Sequence, residues 1–250
     1  MSYIQLLCQR KKVAMMDWSS WIIVAAICLP GVYFMYHAEK IHVKDDVTDG
    51  QRLIAHLLTV ILFSGLGAFA AYRVGFYFYS TEAVITGLIV GIICSTIHLL
   101  MYYGYLKPKI SPNDYAEIEA HYRQTGILSR VFYGGVIEEV IFRWSLLSLF
   151  VWIFQLVGLG NHFALNTSIF ITSLLFAVVH IPSIKLVATK PKKEMYIYTI
   201  VGNTWVGLCA SFAFIESGLL AAIVVHILFH LTWYPIQSFL HYRYKACKEI

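Results

Sequence analysis

Ile137-Glu138-Glu139-Val140-Ile141-Phe142-Arg143 sits inside an apolar run that extends from Arg130 to Val157. Two adjacent carboxylates and a guanidinium in such a run are expensive. Each ionised side chain costs about 2.5–3.5 kcal/mol at the centre of a membrane helix, so groups kept there are functional candidates. On a helix, Glu139 and Arg143 stand four apart on one face and can neutralise each other, whereas Glu138 points about 100° away with no local partner. Glu138 is therefore the candidate for chemistry, and Glu139 and Arg143 for its support. The plainer alternative is an ion-pair cluster that only locks helices together.

Working outward, the whole chain shares this apolar character. Its 250 residues are 59% hydrophobic and 13% charged, well above the apolar share of about 45–50% in soluble domains. The composition predicts an integral, multi-pass membrane protein: an all-α helical bundle of about seven spans, six to eight, with no room for a separate soluble domain. Five cysteines, at 8, 28, 94, 209 and 247, are odd in number and scattered, which fits buried small apolar residues better than a disulfide framework or a thiolate metal site. The net charge of +5 is modest and its basic residues cluster between spans, so nothing here calls for nucleic acid.

The runs Trp18 to Tyr36, Leu53 to Tyr79, Glu82 to Tyr103, Arg130 to Val157, Phe163 to Ile184, Tyr196 to Ile215 and Leu219 to Leu240 are the expected spans. The first, preceded by Arg10-Lys11-Lys12, lacks a small-x-small cleavage site and reads as a span or anchor. Its Pro30-Gly31 is a candidate kink or re-entrant point. Gly87 and Gly91 form a GxxxG face for close helix packing. His56 and His98 receive no role. The polar segment Gly104 to Ser129 reads as a loop with a short surface helix. Asn166-Thr-Ser168, a glycosylation pattern inside an apolar run, and Cys247-Lys-Glu-Ile250, a C-a-a-X spacing with charged middle residues, are taken as coincidences. Fourteen basic residues fall in alternate loops and the tail against four elsewhere, so those loops are expected to be cytoplasmic. The same rule conflicts with Arg10-Lys11-Lys12 unless the first segment fails to cross.

Two further features join Glu138: Phe176-Ala-Val-Val-His180 and His226-Ile-Leu-Phe-His230. At i,i+4, Phe176 can fix the ring of His180, and His226 and His230 project from one helix face as two donors or two ligands. Counted from the basic loops at about 1.5 Å per residue, the groups lie at similar depths, as one intramembrane cavity open to the cytoplasmic side would require.

Taken together, Glu138-Glu139-x-x-x-Arg143, Phe176-x-x-x-His180 and His226-x-x-x-His230, spread over roughly Arg130 to Leu240, resemble the CPBP family of CAAX-protease and bacteriocin-processing, Abi-type, membrane peptidases. The resemblance implies spans and a polar loop over 1–129, a catalytic core over 130–240, and a basic tail over 241–250. It also implies a conical cavity and an endopeptidase acting on a peptide or protein, lipidated in the CAAX case, at the surface of membrane lipid. Carried over, Glu138 is the motif glutamate, His180 the water-activating histidine and His226 the oxyanion-side histidine. Where the family usually has Asn or Asp, this chain has His230, an imidazole with one N–H to donate and a different reach.

The residues alone support the same chemistry. Glu138 can take a proton from water oriented by His180, and donors at His226 and His230 can stabilise the oxyanion. That mechanism requires no cofactor. The alternative within enzymes is a zinc site of His180, His226 and His230 with Glu138 as base or ligand, although no HExxH is present. Outside enzymes, the alternatives are a catalytically silent immunity or binding protein on the same fold, or a small proton-coupled transporter.

Overall fold

The structure is a computed structural model that describes residues 17–43, 46–188 and 190–246, the last seven as helix backbone. Arg10-Lys11-Lys12, Cys8 and Cys247-Lys-Glu-Ile250 lie outside the described residues. Among those described, every regular element is a helix. They are α1 (Trp18–His42), α2 (Asp49–Val74), α3 (Ala83–Lys109), α4 (Pro112–Thr125), α5 (127–156), α6 (Asn161–Val178), α7 (Ile181–Val187), α8 (Lys193–Ser217) and α9 (Leu219–Ala246).

Local chemistry sets the helix starts. The Asp17 carboxylate accepts from the Ser20 N–H ahead of α1, Thr48 and Gln51 close a capping box on α2, and Ser111 caps α4 with Pro112 in its first turn; each cap satisfies a backbone donor the helix cannot. Pro182 ends the run of α6: it has no N–H to donate to the carbonyl four residues back, Val178, and its ring crowds that carbonyl, so Pro182 sits instead in the first turn of a new helix. The expected span to Ile184 is therefore α6 and α7 with Val179 and His180 at the junction. The polar segment after Tyr103 is also more helical than expected, because α3 continues through Lys109 and α4 follows after Ser111.

Among the described residues, six helices are long and apolar enough to cross a membrane: α1, α2, α3, residues Asn161–Val187, α8 and Leu219–Phe239 of α9. Large apolar side chains such as Ile22, Leu62, Ile85, Ile92, Leu100, Phe170 and Phe212 point outward, a surface suited to lipid rather than water. The chain is an integral multi-pass membrane protein. α1 is an unbroken 25-residue helix with Pro30 inside it, so the re-entrant turn expected at Pro30-Gly31 does not occur. Gly31 has another use. A Cβ there would meet the Phe132 carbonyl oxygen at 2.5 Å, so its absence lets α1 close directly on α5. Gly87 and Gly91 do the same for α3 against Val224 and Leu228 of α9.

α5 lies among these spans, with α1 and α2 on one side and α9 on the other. Its backbone is wound wide: Arg130–Glu138 and Val140–Leu147 are π-helical, joined at Glu139. Ser145 and Ser148 hydroxyls donate to the carbonyls five residues back, Val140 at 2.9 Å and Arg143 at 3.3 Å, and Ser145 also donates to Phe63 of α2. Wide turns are rare in helices and concentrate at functional sites. Loops 75–82 and 216–218 meet at one end of the bundle, where Tyr77 donates to the Glu216 carbonyl. The basic loops meet at the other, where Lys192 Nζ donates to the Lys109 carbonyl at 3.1 Å.

Candidate active site

Glu138 and Glu139 part company at the joint in α5. Glu139 is fully enclosed and Glu138 is not. Oε1 of Glu139 accepts from Arg143 Nη1 at 3.0 Å, the expected i,i+4 pair, and also from His226 Nδ1 at 2.7 Å. The second partner, 87 residues away, is not readable from local spacing. An ionised carboxylate only accepts, so Nδ1 of His226 carries the proton. Any donation from Nε2 then requires both nitrogens protonated.

Glu138 faces His180 instead, with Oε2 3.9 Å from Nε2 and both side chains partly exposed, 21% and 30%. His180 sits at the α6–α7 junction and donates from Nδ1 to the Phe176 carbonyl at 2.7 Å. With that proton fixed on Nδ1, the Nε2 of neutral His180 presents a lone pair toward Glu138. Two acceptors therefore face one gap, which is longer than a direct hydrogen bond and of a length that a shared water spans.

Phe176 joins the two pairs. It is almost fully buried; its ring lies 4.8 Å from that of His180 and 5.7 Å from that of His226, and the Arg143 guanidinium lies 4.7 Å from its centroid. His230 stacks on His226 at 4.9 Å. Its Nδ1 is buried without a partner, and its Nε2 lies against Gly134, where a Cβ would come within 2.8 Å. So Glu138, Glu139, Arg143, Phe176, His180, His226 and His230 come together as two linked groups, not as one ring of four polar ends. A cavity of about 230 Å³ opens elsewhere, lined by residues that include Asp17, Tyr72, Tyr77 and Trp144, and none of these seven residues lines it.

The donor set fits a bound metal poorly. Among the described residues no group of three His, Cys, Asp or Glu side chains is arranged to hold an ion, and the Nδ1 of His226 is already taken by Glu139. Sequence reasoning left out His56 and His98. His56 pairs with Glu39 at 3.1 Å and packs on Tyr133, and His98 accepts from the Tyr198 hydroxyl at 2.6 Å beside Phe229. It also left out Arg130, Trp233 and Gln237, which continue the facing surfaces of α5 and α9 away from the site; the available signal was their spacing, Arg130 four before Gly134, and Trp233 and Gln237 three and seven after His230.

No curated protein and no solved structure matches the chain. Residues 125–232, which contain every one of the seven site residues, match the family described as type II CAAX prenyl endopeptidase, Rce1-like. Over that segment the chain is similar to the type II CAAX prenyl endopeptidases of the Rce1-like family.

Proposed function

We propose that this protein is an intramembrane endopeptidase that hydrolyses a peptide bond near the C-terminus of a peptide or protein substrate, with Glu138 and His180 activating the water. The observation that carries the reading is the 3.9 Å gap between two partly exposed acceptors, Glu138 Oε2 and His180 Nε2. A water donating to both presents its lone pairs outward, toward a carbonyl. Glu138 takes the proton as oxygen bonds to carbon, and the carbonyl electrons become an oxyanion. Protonated Glu138 then gives the proton to the leaving nitrogen as the C–N bond breaks, which yields an acid and an amine. Nε2–H of a doubly protonated His226 and an N–H of His230 supply the oxyanion donors, each such donor being worth about 2.7–4 kcal/mol in related chemistry. Glu139 and Arg143 hold His226 and the helix, and Phe176 keeps the base pair and the donor pair in register.

The test is digestion of a library of prenylated and unprenylated peptides by the purified protein, with products identified by mass. Cuts near free C-termini are expected; failure to cut any member would sink the peptidase reading. Prenyl dependence is read from the same experiment.

Substitution at His230 separates the two chemistries. If His230 only donates, His230→Asn keeps a donor and retains activity within about tenfold, or 1.4 kcal/mol. If it is a zinc ligand, an amide is a poor replacement and metal and activity leave together. The first outcome is expected, checked by metal content alongside rate in both proteins.

The basic loops are proposed to face the cytoplasm, by the excess of Lys and Arg there. Cysteine reporters at Lys109 and Lys192 should then be shielded from an impermeant reagent in intact cells while one at Asn161 labels. The reverse pattern would invert the orientation.

A further inference from the structure

Three of the contacts that join the facing surfaces of α5 and α9 involve polar side chains, and the proposed chemistry uses two. Glu139 meets His226 at 2.7 Å, and Gly134 lies against His230. One turn nearer the basic loops, Arg130 Nη1 donates to Gln237 Oε1 at 3.4 Å. This third contact is buried: Arg130 is 6% exposed, and Trp233 and Gln237 are 2% exposed each. Its polar atoms are nonetheless incomplete. Arg130 Nε, Gln237 Nε2 and Trp233 Nε1 have no hydrogen-bond partner. All three are donors, none can accept, and a buried donor left without a partner is destabilising. No carboxylate stands within ion-pair distance of Arg130 among the described residues. Glu119 is engaged elsewhere: its Oε1 accepts from the Tyr102 hydroxyl at 2.7 Å.

We propose that Arg130, Gln237 and Trp233 form a subsite for the free C-terminal carboxylate of the peptide that is cut. This inference rests on the endopeptidase reading for its substrate class. A carboxylate supplies only acceptors, the complement of what the three side chains lack, and guanidinium and amide donors suit its two oxygens. The spacing agrees. Arg130 precedes Glu138 by eight residues on α5, about 12 Å along a helix at 1.5 Å per residue and less where the turns are wide. Three extended residues span about 10 Å. A terminus held at Arg130 thus lays a bond about three residues upstream beside Glu138. The Tyr122 ring of α4 lies over the guanidinium, 5.1 Å to its centroid, so α4 covers this end of the subsite.

The test is binding of fluorescent tripeptides, as free acids and as C-terminal amides, to the purified full chain, read by anisotropy. The wild type should bind the acid at least tenfold more tightly than the amide, and Arg130→Gln should bring the two to equal, weak binding. Equal affinity for acid and amide in the wild type, no binding of either, or a preserved preference in Arg130→Gln would overturn the subsite. If Arg130→Gln does not fold, the acid–amide comparison in wild type and in Gln237→Leu decides instead, with a reduced preference expected in the latter. Because no bond is cut, the result stands apart from the peptidase reading, which fails by absence of cleavage.

Discussion

Glu138→Gln leaves a protein that extracts and melts like the parent and cleaves peptides about 10²–10⁴-fold more slowly, the contribution of a positioned general base. Glutamine keeps the size of the side chain and its capacity to hold a water, but it cannot take up the proton that water must lose. Little stability is at stake, because Glu138 is partly exposed and its one facing group is His180 across 3.9 Å. The measurement is initial rate on a peptide identified from the library, with a thermal melt of the same preparation. Turnover within threefold of the parent would remove Glu138 from the chemistry. His180→Ala should lower the rate in the same direction, since it removes the second acceptor from the gap.

Arg143→Ala has the opposite profile. The guanidinium is 1% exposed and its carboxylate partner is fully enclosed, so truncation strands Glu139 in an apolar interior at a cost of about 3–5 kcal/mol. The loss of the cation over the Phe176 ring adds to it. Glu139→Gln should cost a similar amount and also release His226, so activity falls along with stability. Denaturant or thermal unfolding in one detergent, together with yield, checks both. An Arg143→Ala protein that unfolds with the parent but turns nothing over would move Arg143 from support into chemistry.

Much of this arrangement was written in local sequence. Apolar runs of span length, broken by Gly158-Leu-Gly-Asn-His162 and by Glu216-Ser-Gly218, give the helices, and the four-residue steps from Glu139 to Arg143 and from His226 to His230 give shared faces. What was not legible depends on contacts between distant segments. Adjacent glutamates look alike in sequence; that Glu139 takes His226 while Glu138 takes His180 is decided by how α5 is wound and by Pro182 ending α6. Pro30-Gly31 reads as a breaker, yet Gly31 is there so that α1 can touch Phe132. Arg130 reads as one more loop charge, because nothing local shows that Gln237 lies across from it.

The charged helix among six apolar ones also bears on how the protein enters its membrane. α5 emerges during synthesis with four charged side chains, Arg130, Glu138, Glu139 and Arg143, and only one pair can close at once, Glu139 with Arg143, because both belong to the same helix. His226 is made 87 residues after Glu139. Until α9 is delivered, Oε1 of Glu139 has the Arg143 guanidinium and lacks the His226 N–H that it also accepts in the finished fold. Insertion of α5 is therefore a commitment completed only by the last span, and chains stopped before α9 should be held at the insertion machinery or degraded.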